Sequence, residues 1–162
     1  MFSAGDRVLY PMYGAGIIEG IEEKEIFGKT KSYYVMKMPI GDMKVMIPTD
    51  SCESVGLRLV ITEDVAYKTI EGLSVCDDDE MLNWNKRHRE NIAKLKSGDI
   101  DSIAEVVKGL VRRENDKGLS MGERQLLFSA RQIFVSELVL SLETTRDEVE
   151  KLIDQSIATV NI

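Results

Sequence analysis

The sequence predicts a two-domain α+β protein, with a small antiparallel β-barrel over residues 1–60 and an all-α helical bundle over residues 61–162. Two observations carry that reading. The hydrophobic period changes from about two to about 3.6 near residue 60, and helix-capping patterns replace hairpin turns at the same place. Size agrees, since a chain of 162 residues that is 43% hydrophobic can bury one sizeable core or two small ones.

Before residue 60, β-rich stretches alternate with turn residues. "RVLY" (7–10), "GIIEGIEEKEI" (16–26), "SYYVMKM" (32–38) and "MKVMIP" (43–48) read as strands, separated by turns at 11–14, Phe27-Gly28-Lys29 and 39–42. So many strands in so short a stretch imply a strongly bent sheet, most simply a Tudor-like or SH3-like barrel. Such a barrel is too small for an interior cavity. Its function is therefore expected on its surface, or on an edge strand that a partner extends.

Beyond residue 60 the apolar residues recur at spacings of three and four. A helix from about Glu63 to Ile70 stops at Gly72. A second, from about Asp78 to Lys96, stops at Gly98 and carries the acidic run "DDDE" (77–80) in its first turn, which suits the positive end of a helix dipole. A third follows Asp99 and ends before Gly118, with Ile103, Val106, Val107, Leu110 and Val111 on one face. Capping boxes, Ser120 with Glu123 and Thr145 with Glu148, open the last two. Their buried faces centre on Leu126, Leu127, Ala130, Ile133, Phe134, Leu138 and Leu142, and on Val149, Leu152, Ile153 and Ile157.

Composition narrows the function. No uninterrupted apolar run approaches the ~18–20 residues that span a bilayer, and the N-terminus lacks a signal-peptide core, so a cytoplasmic protein with no membrane partner is expected. Cys52 and Cys76 have neither CxxC spacing nor a nearby histidine; free thiols and no metal or other cofactor are expected. Net charge is −7, yet residues 84–131 hold eleven basic and seven acidic residues, bounded by acidic segments. A local polyanion site fits that distribution better than a wholly basic binder.

Apparent active-site motifs do not hold up. Gly14-Ala15-Gly16 with Gly20 resembles a phosphate-binding loop but leads into a β pattern, so no helix N-terminus converges on a phosphate. "DDDE" lacks the glycine and distal glutamate of a calcium loop. His88, the only histidine, lies among Lys86, Arg87 and Arg89, where neighbouring cations make it a poor general base. The chain reads as a binding protein and not an enzyme.

The segment "NWNKRHR" (83–89) joins the only tryptophan to the densest basic cluster. On a helical wheel Met81, His88, Ile92 and Leu95 line one face, and Trp84 falls at the edge of that stripe, about 60° from Met81. Periodicity alone leaves Trp84 as either a boundary core residue or an exposed aromatic. An exposed indole beside phosphate-binding cations could insert into a base step from the minor groove, and its N–H could serve an acceptor there. Leu110, Leu126 and Phe134 are assigned to the core.

The stretches "GDRVLYPMYGAGIIEGIE", "YYVMKMPIGDMKVMIP", "VGLR", "NWNKRHRENIAKLKSGD", "IAEVVKGLVRRE" and "LSMGERQLLFSARQIFVSEL" resemble, in order and over essentially the whole chain, the CarD/CdnL family of bacterial transcription regulators. The N-terminal half is similar to the Tudor-like polymerase-interacting module of the transcription-repair coupling factor. The resemblance implies a protein at the nucleoid, with two partners. The barrel grips the RNA polymerase β subunit, and the helical domain contacts promoter DNA without sequence preference, in the minor groove at the upstream edge of the bubble, stabilising the open complex. Trp84 matches the family's wedge and Lys86, Arg87 and Arg89 its basic patch, with His88 where an aromatic such as tyrosine is common. Lys24, Val35, Met46 and Pro48 match its polymerase-facing positions, with Met46 where some members carry arginine. An apolar contact is expected at Met46, and a monomer is expected overall. The alternative is a polymerase-binding adaptor whose helical domain recruits another protein, with Trp84 as the hot spot.

Overall fold

Five strands form one antiparallel sheet in the computed structural model, which describes residues 2–39, 43–75 and 83–158. They are β1 (Arg7–Tyr10), β2 (Gly14–Ile26), β3 (Lys29–Lys37), β4 (Lys44–Pro48) and β5 (Arg58–Leu59), in the order β4-β3-β2-β1-β5. A 3₁₀ turn at Thr49–Ser51 and a short helix, α1 (Cys52–Val55), return the chain from one edge of the sheet to the other. This is the Tudor/SH3-like arrangement expected. The 3₁₀ turn, α1 and β5 were not anticipated, because two to four residues are too few to show a period.

Alternation along the strands sorts the side chains into two cores. Val8, Ile18, Tyr34, Met36 and Ile47 face inward and pack with Cys52 and Leu57 in the barrel. Leu9 and Ala15 face the other way and join the helical core. The glycines of "GAG" serve this close packing: a Cβ on Gly16 would lie 2.7 Å from the Lys37 carbonyl oxygen. Cys52 is a buried free thiol whose pKa is pushed up chiefly by burial. Cys76 lies outside the described residues.

The helices are α2 (Glu63–Gly72), α3 (Trp84–Ser97), α4 (Ile100–Asp116), α5 (Met121–Leu142) and α6 (Arg146–Ala158). α5 is the hub, packing on α2, α3, α4, α6 and β2. It buries Ala130, Ile133, Phe134 and Leu138, with Leu126, Leu127 and Leu142 partly covered. α4 contributes Ile103, Val106, Val107 and Leu110, and α6 contributes Val149, Ile153 and Ile157. By length and mean hydropathy α5 reaches membrane-spanning proportions, though no uninterrupted apolar run was found there. It carries Glu123, Arg124, Arg131 and Glu137 and is the core helix of this bundle.

The start of α3 departs from expectation. The helix begins at Trp84 and not at Asp78, because the Asn83 side chain caps it by accepting the Lys86 N–H at 2.8 Å. Its first turn carries no acidic residue. Met81 and the run 77–80, on which the capping and wheel expectations rested, lie outside the described residues.

Polar contacts fasten the barrel to the bundle. Arg58 on β5 donates a fork to Glu137 on α5, with Nη1–Oε2 at 2.7 Å and Nη2–Oε1 at 2.9 Å. Its Nε donates to the carbonyl of Gly98, the residue that ends α3. Glu137 is fully buried and also accepts the Ile61 N–H. Nearby, the Ala15 N–H donates to Ser136 Oγ, and Arg7 donates to the Leu140 carbonyl. Burying a carboxylate is costly unless all of its oxygens find donors, and here they do.

Candidate functional site

Trp84 opens α3 at a junction with the start of α5. Its indole N–H donates to Ser120 Oγ at 2.9 Å, its ring stacks on His88 with centroids 4.7 Å apart and planes 10° apart, and it passes close to Gly122. These contacts fix the ring while leaving the residue 41% exposed. Trp84 is thus neither a core residue nor a free aromatic. The indole N–H is already used, so a base-edge acceptor is not its partner in this arrangement.

Ser120 does two jobs here. Its hydroxyl oxygen caps α5 by accepting the Glu123 N–H at 3.2 Å while it receives the indole. The predicted capping box is only half formed, because the Glu123 carboxylate turns to Arg87 instead of the Ser120 backbone. Arg87 donates Nε to Oε2 at 2.9 Å and Nη2 to Oε1 at 3.0 Å. Glu123 is 2% exposed, and the hydrogen-bonded Arg87 guanidinium holds its carboxyl below the usual carboxylate range; burial opposes that shift, and the charges of Arg87, Arg113 and His88 assist it.

The basic cluster therefore divides. Lys86 and Arg89 are exposed, whereas Arg87 is engaged with the buried Glu123. The N-termini of α3 and α5, capped by Asn83 and Ser120, converge on the indole. Their dipoles add positive potential beside the two exposed cations. The arrangement offers an apolar ring at two helix N-termini, with two exposed cations on the same helix.

The four barrel residues share a surface of their own. Register pairs Val35 with Met46, Pro48 with Tyr33 and Lys24 with Lys31, alternating with the inward Tyr34, Met36 and Ile47. Lys24, Val35, Met46 and Pro48 consequently fall on the outward face. Lys24 is exposed, Met46 and Pro48 are half-buried, and Val35 is only 6% exposed. β4 is an edge strand of the sheet, and α5 covers the same face where β1 and β2 present Leu9 and Ala15.

Several residues that shape these sites escape a sequence reading. Ser120 and Glu123 are visible as a capping pair, but their grip on Trp84 and Arg87 across 36 residues of chain is not. Glu137 is signalled by a charge set among Phe134, Val135 and Leu138, which demands a buried partner, yet nothing local names Arg58.

Comparison with known proteins matches two families along the chain. Residues 2–61 match the family described as CarD-like/TRCF RID domain, and residues 68–154 match the family described as CarD, C-terminal domain. The chain is 40% identical over 151 residues to "Putative transcription factor YdeB" of Bacillus subtilis (strain 168), covering 93% of this chain and 98% of that protein. Among solved structures it is similar to "CdnLNt from Myxoccoccus xanthus", at 39% identity over 38% of this chain and 86% of that one, with a TM-score of 0.33. It is also similar to the 72-residue N-terminal domain of Myxococcus xanthus CarD, at 29% identity over 36% and 79% of the two chains, with a TM-score of 0.32.

Proposed function

This chain belongs to the CarD/CdnL family of transcription factors, with an RNA polymerase-interacting N-terminal domain, and we propose that it stabilises the promoter open complex through Trp84 while its barrel holds the polymerase β subunit. The observation that carries this reading is the half-exposed indole, fixed in orientation where two helix N-termini meet, on a helix whose first two turns also expose Lys86 and Arg89. A ring held this way enters a base step without first losing much side-chain freedom, and exposed cations on the same helix can neutralise phosphates on either side of the step. Arg87 orients the wedge through Glu123. Lys24, Met46 and Pro48 form the polymerase-facing surface, with Val35 as its packed floor.

The mechanism is differential binding without chemistry. A protein that binds the melted promoter better than the closed one shifts that equilibrium by the difference in binding free energy, and about 1.4 kcal/mol is tenfold. The barrel supplies effective concentration, so the DNA contact can be weak and need not read sequence. A chain of net charge −7 can then act on DNA, because only one face has to be basic.

Open-complex lifetime, measured with RNA polymerase and wild-type protein or Trp84→Ala, tests the wedge. The variant is expected to keep its polymerase affinity and to lose most of the stabilisation, on the order of tenfold in lifetime. A folded Trp84→Ala protein that stabilises open complexes as well as wild type sinks the proposal and leaves the helical domain as a docking site for another protein.

A further inference from the structure

The β2–β3 hairpin breaks a local rule at its tip. Ile26 pairs with Lys29, which leaves a two-residue loop, Phe27-Gly28, with φ angles of +53° and +76°. A turn with both central residues in the left-handed region favours Asn-Gly or Asp-Gly. Phenylalanine is uncommon at positive φ, because its Cβ crowds the backbone there. Nor does packing offset the strain: Phe27 is 101% exposed, a side chain standing clear of the fold. Ile26 is 46% exposed, and every residue of β2 from Ile21 to Ile26 is exposed, so the outer hairpin projects beyond the barrel core.

Elsewhere among the described barrel residues the left-handed positions Gly5, Gly14 and Gly56 hold glycine and alternation matches burial; Met12 (φ +73°), in the β1–β2 turn, is the one other non-glycine residue at positive φ, and its side chain is partly covered where that of Phe27 is bare. A strained backbone carrying a bare aromatic ring is where such a fold departs from its own rules, and departures of that kind collect at functional sites. Position supplies the partner. Alternation puts Ile26 on the face of Lys24, which continues to Val35, Met46 and Pro48, within the domain matched as polymerase-interacting. Glu22, Glu23, Glu25, Lys29 and Lys31 surround the tip with the mixed-charge rim that commonly borders an apolar anchor.

We propose that Phe27 is an aromatic anchor for RNA polymerase, inserting from the hairpin tip into an apolar recess of that enzyme and extending the polymerase-facing surface beyond Lys24. This rests on the reading of the barrel as the polymerase-binding module. The chain accepts a poorer turn in exchange for an anchor of the residue class that dominates interface energetics.

Phe27→Asn separates stability from binding, because asparagine is the better turn residue. In the full-length protein the melting temperature should hold or rise by roughly 2–4 °C, while affinity for RNA polymerase falls about tenfold or more. A variant that melts no lower than wild type and binds polymerase within about twofold of it overturns the inference. Wild-type protein that fails to bind polymerase overturns the underlying reading as well, so the two failures are distinguishable. Sedimentation of both proteins covers a second copy as the occupant. A wild-type dimer lost in Phe27→Asn, with polymerase affinity unchanged, would assign the tip to self-association and overturn the proposal.

Discussion

Two glutamates on α5 each receive an arginine fork, and the comparison between them shows how one interaction serves two ends. Glu137, in the middle of the helix's buried face, takes Arg58 from β5 and the Ile61 N–H, fastening barrel to bundle. Glu123, in the first turn, takes Arg87 from α3, and its N–H is capped by the Ser120 hydroxyl that also receives the Trp84 indole. The first pair joins the barrel to the bundle, and the second joins α3 to α5 next to the cap that receives the indole. The difference follows from position: the middle of a helix has no spare backbone donors, whereas its first turn has several. Glu123 thus gave up half of a capping box for Arg87, and Ser120 retained the other half.

Removing a carboxylate should expose that difference in size. Glu137→Ala leaves the Arg58 guanidinium without its carboxylate, holding only the Gly98 and Leu59 carbonyls, and removes the acceptor of the Ile61 N–H, a loss of about 3 kcal/mol. Urea unfolding read by far-UV dichroism checks this, and a loss below about 1 kcal/mol would show that the interface relaxes around the gap. Arg87→Ala comes next. It strands a nearly buried Glu123 carboxylate at an expected cost of ~2–3 kcal/mol at neutral pH.

The second of these losses depends on pH, with a definite sign. Arg87 depresses the Glu123 carboxyl pKa in the folded protein. The stabilisation is therefore fully present above the unfolded carboxylate value, near pH 4.3, and is lost as pH falls through the lower folded value. Arg87→Ala lacks that contribution, so its deficit against wild type should be largest near pH 7 and should shrink below about pH 4. A deficit that stays constant from pH 7 to about pH 3 would mean that Arg87 acts through packing and not through the carboxylate charge.

What the sequence revealed and what it hid follow the same division between local and distant contacts. The strands at 7–10 and 16–26, the helix stops at Gly98 and Gly118 and the caps at Ser120 and Thr145 were all legible, because each depends on a few neighbouring residues. Trp84 and its basic setting were visible as composition, but its exposure depended on Ser120, Gly122 and His88 meeting in space. The start of α3 was misplaced because a run of acidic residues resembles a helix's first turn, whereas the actual cap is the single Asn83 side chain. Arg87 read with Lys86 and Arg89 as part of one phosphate-binding cluster, since a one-dimensional pattern cannot show that a buried acceptor is waiting on another helix.

The smallest effect should come from Ser120→Ala, and it bears most directly on the wedge. The hydroxyl accepts both the Glu123 N–H that begins α5 and the indole N–H of Trp84. Loss of the cap should cost about 1 kcal/mol. Thr145 supplies the control, because it caps α6 in the same way through the Glu148 N–H at 3.3 Å and touches no indole. Thr145→Ala should thus lose a similar ~1 kcal/mol and leave open-complex lifetime unchanged. Ser120→Ala should lose that stability and, in addition, shorten the lifetime by a few-fold, less than Trp84→Ala, because His88 still supports the ring. Tryptophan fluorescence anisotropy should fall in Ser120→Ala alone, and it reports cleanly because Trp84 is the only tryptophan. If the two variants match in all three measurements, stacking on His88 and contact with Gly122 orient the indole by themselves, and the hydrogen bond to Ser120 serves only to satisfy a polar group.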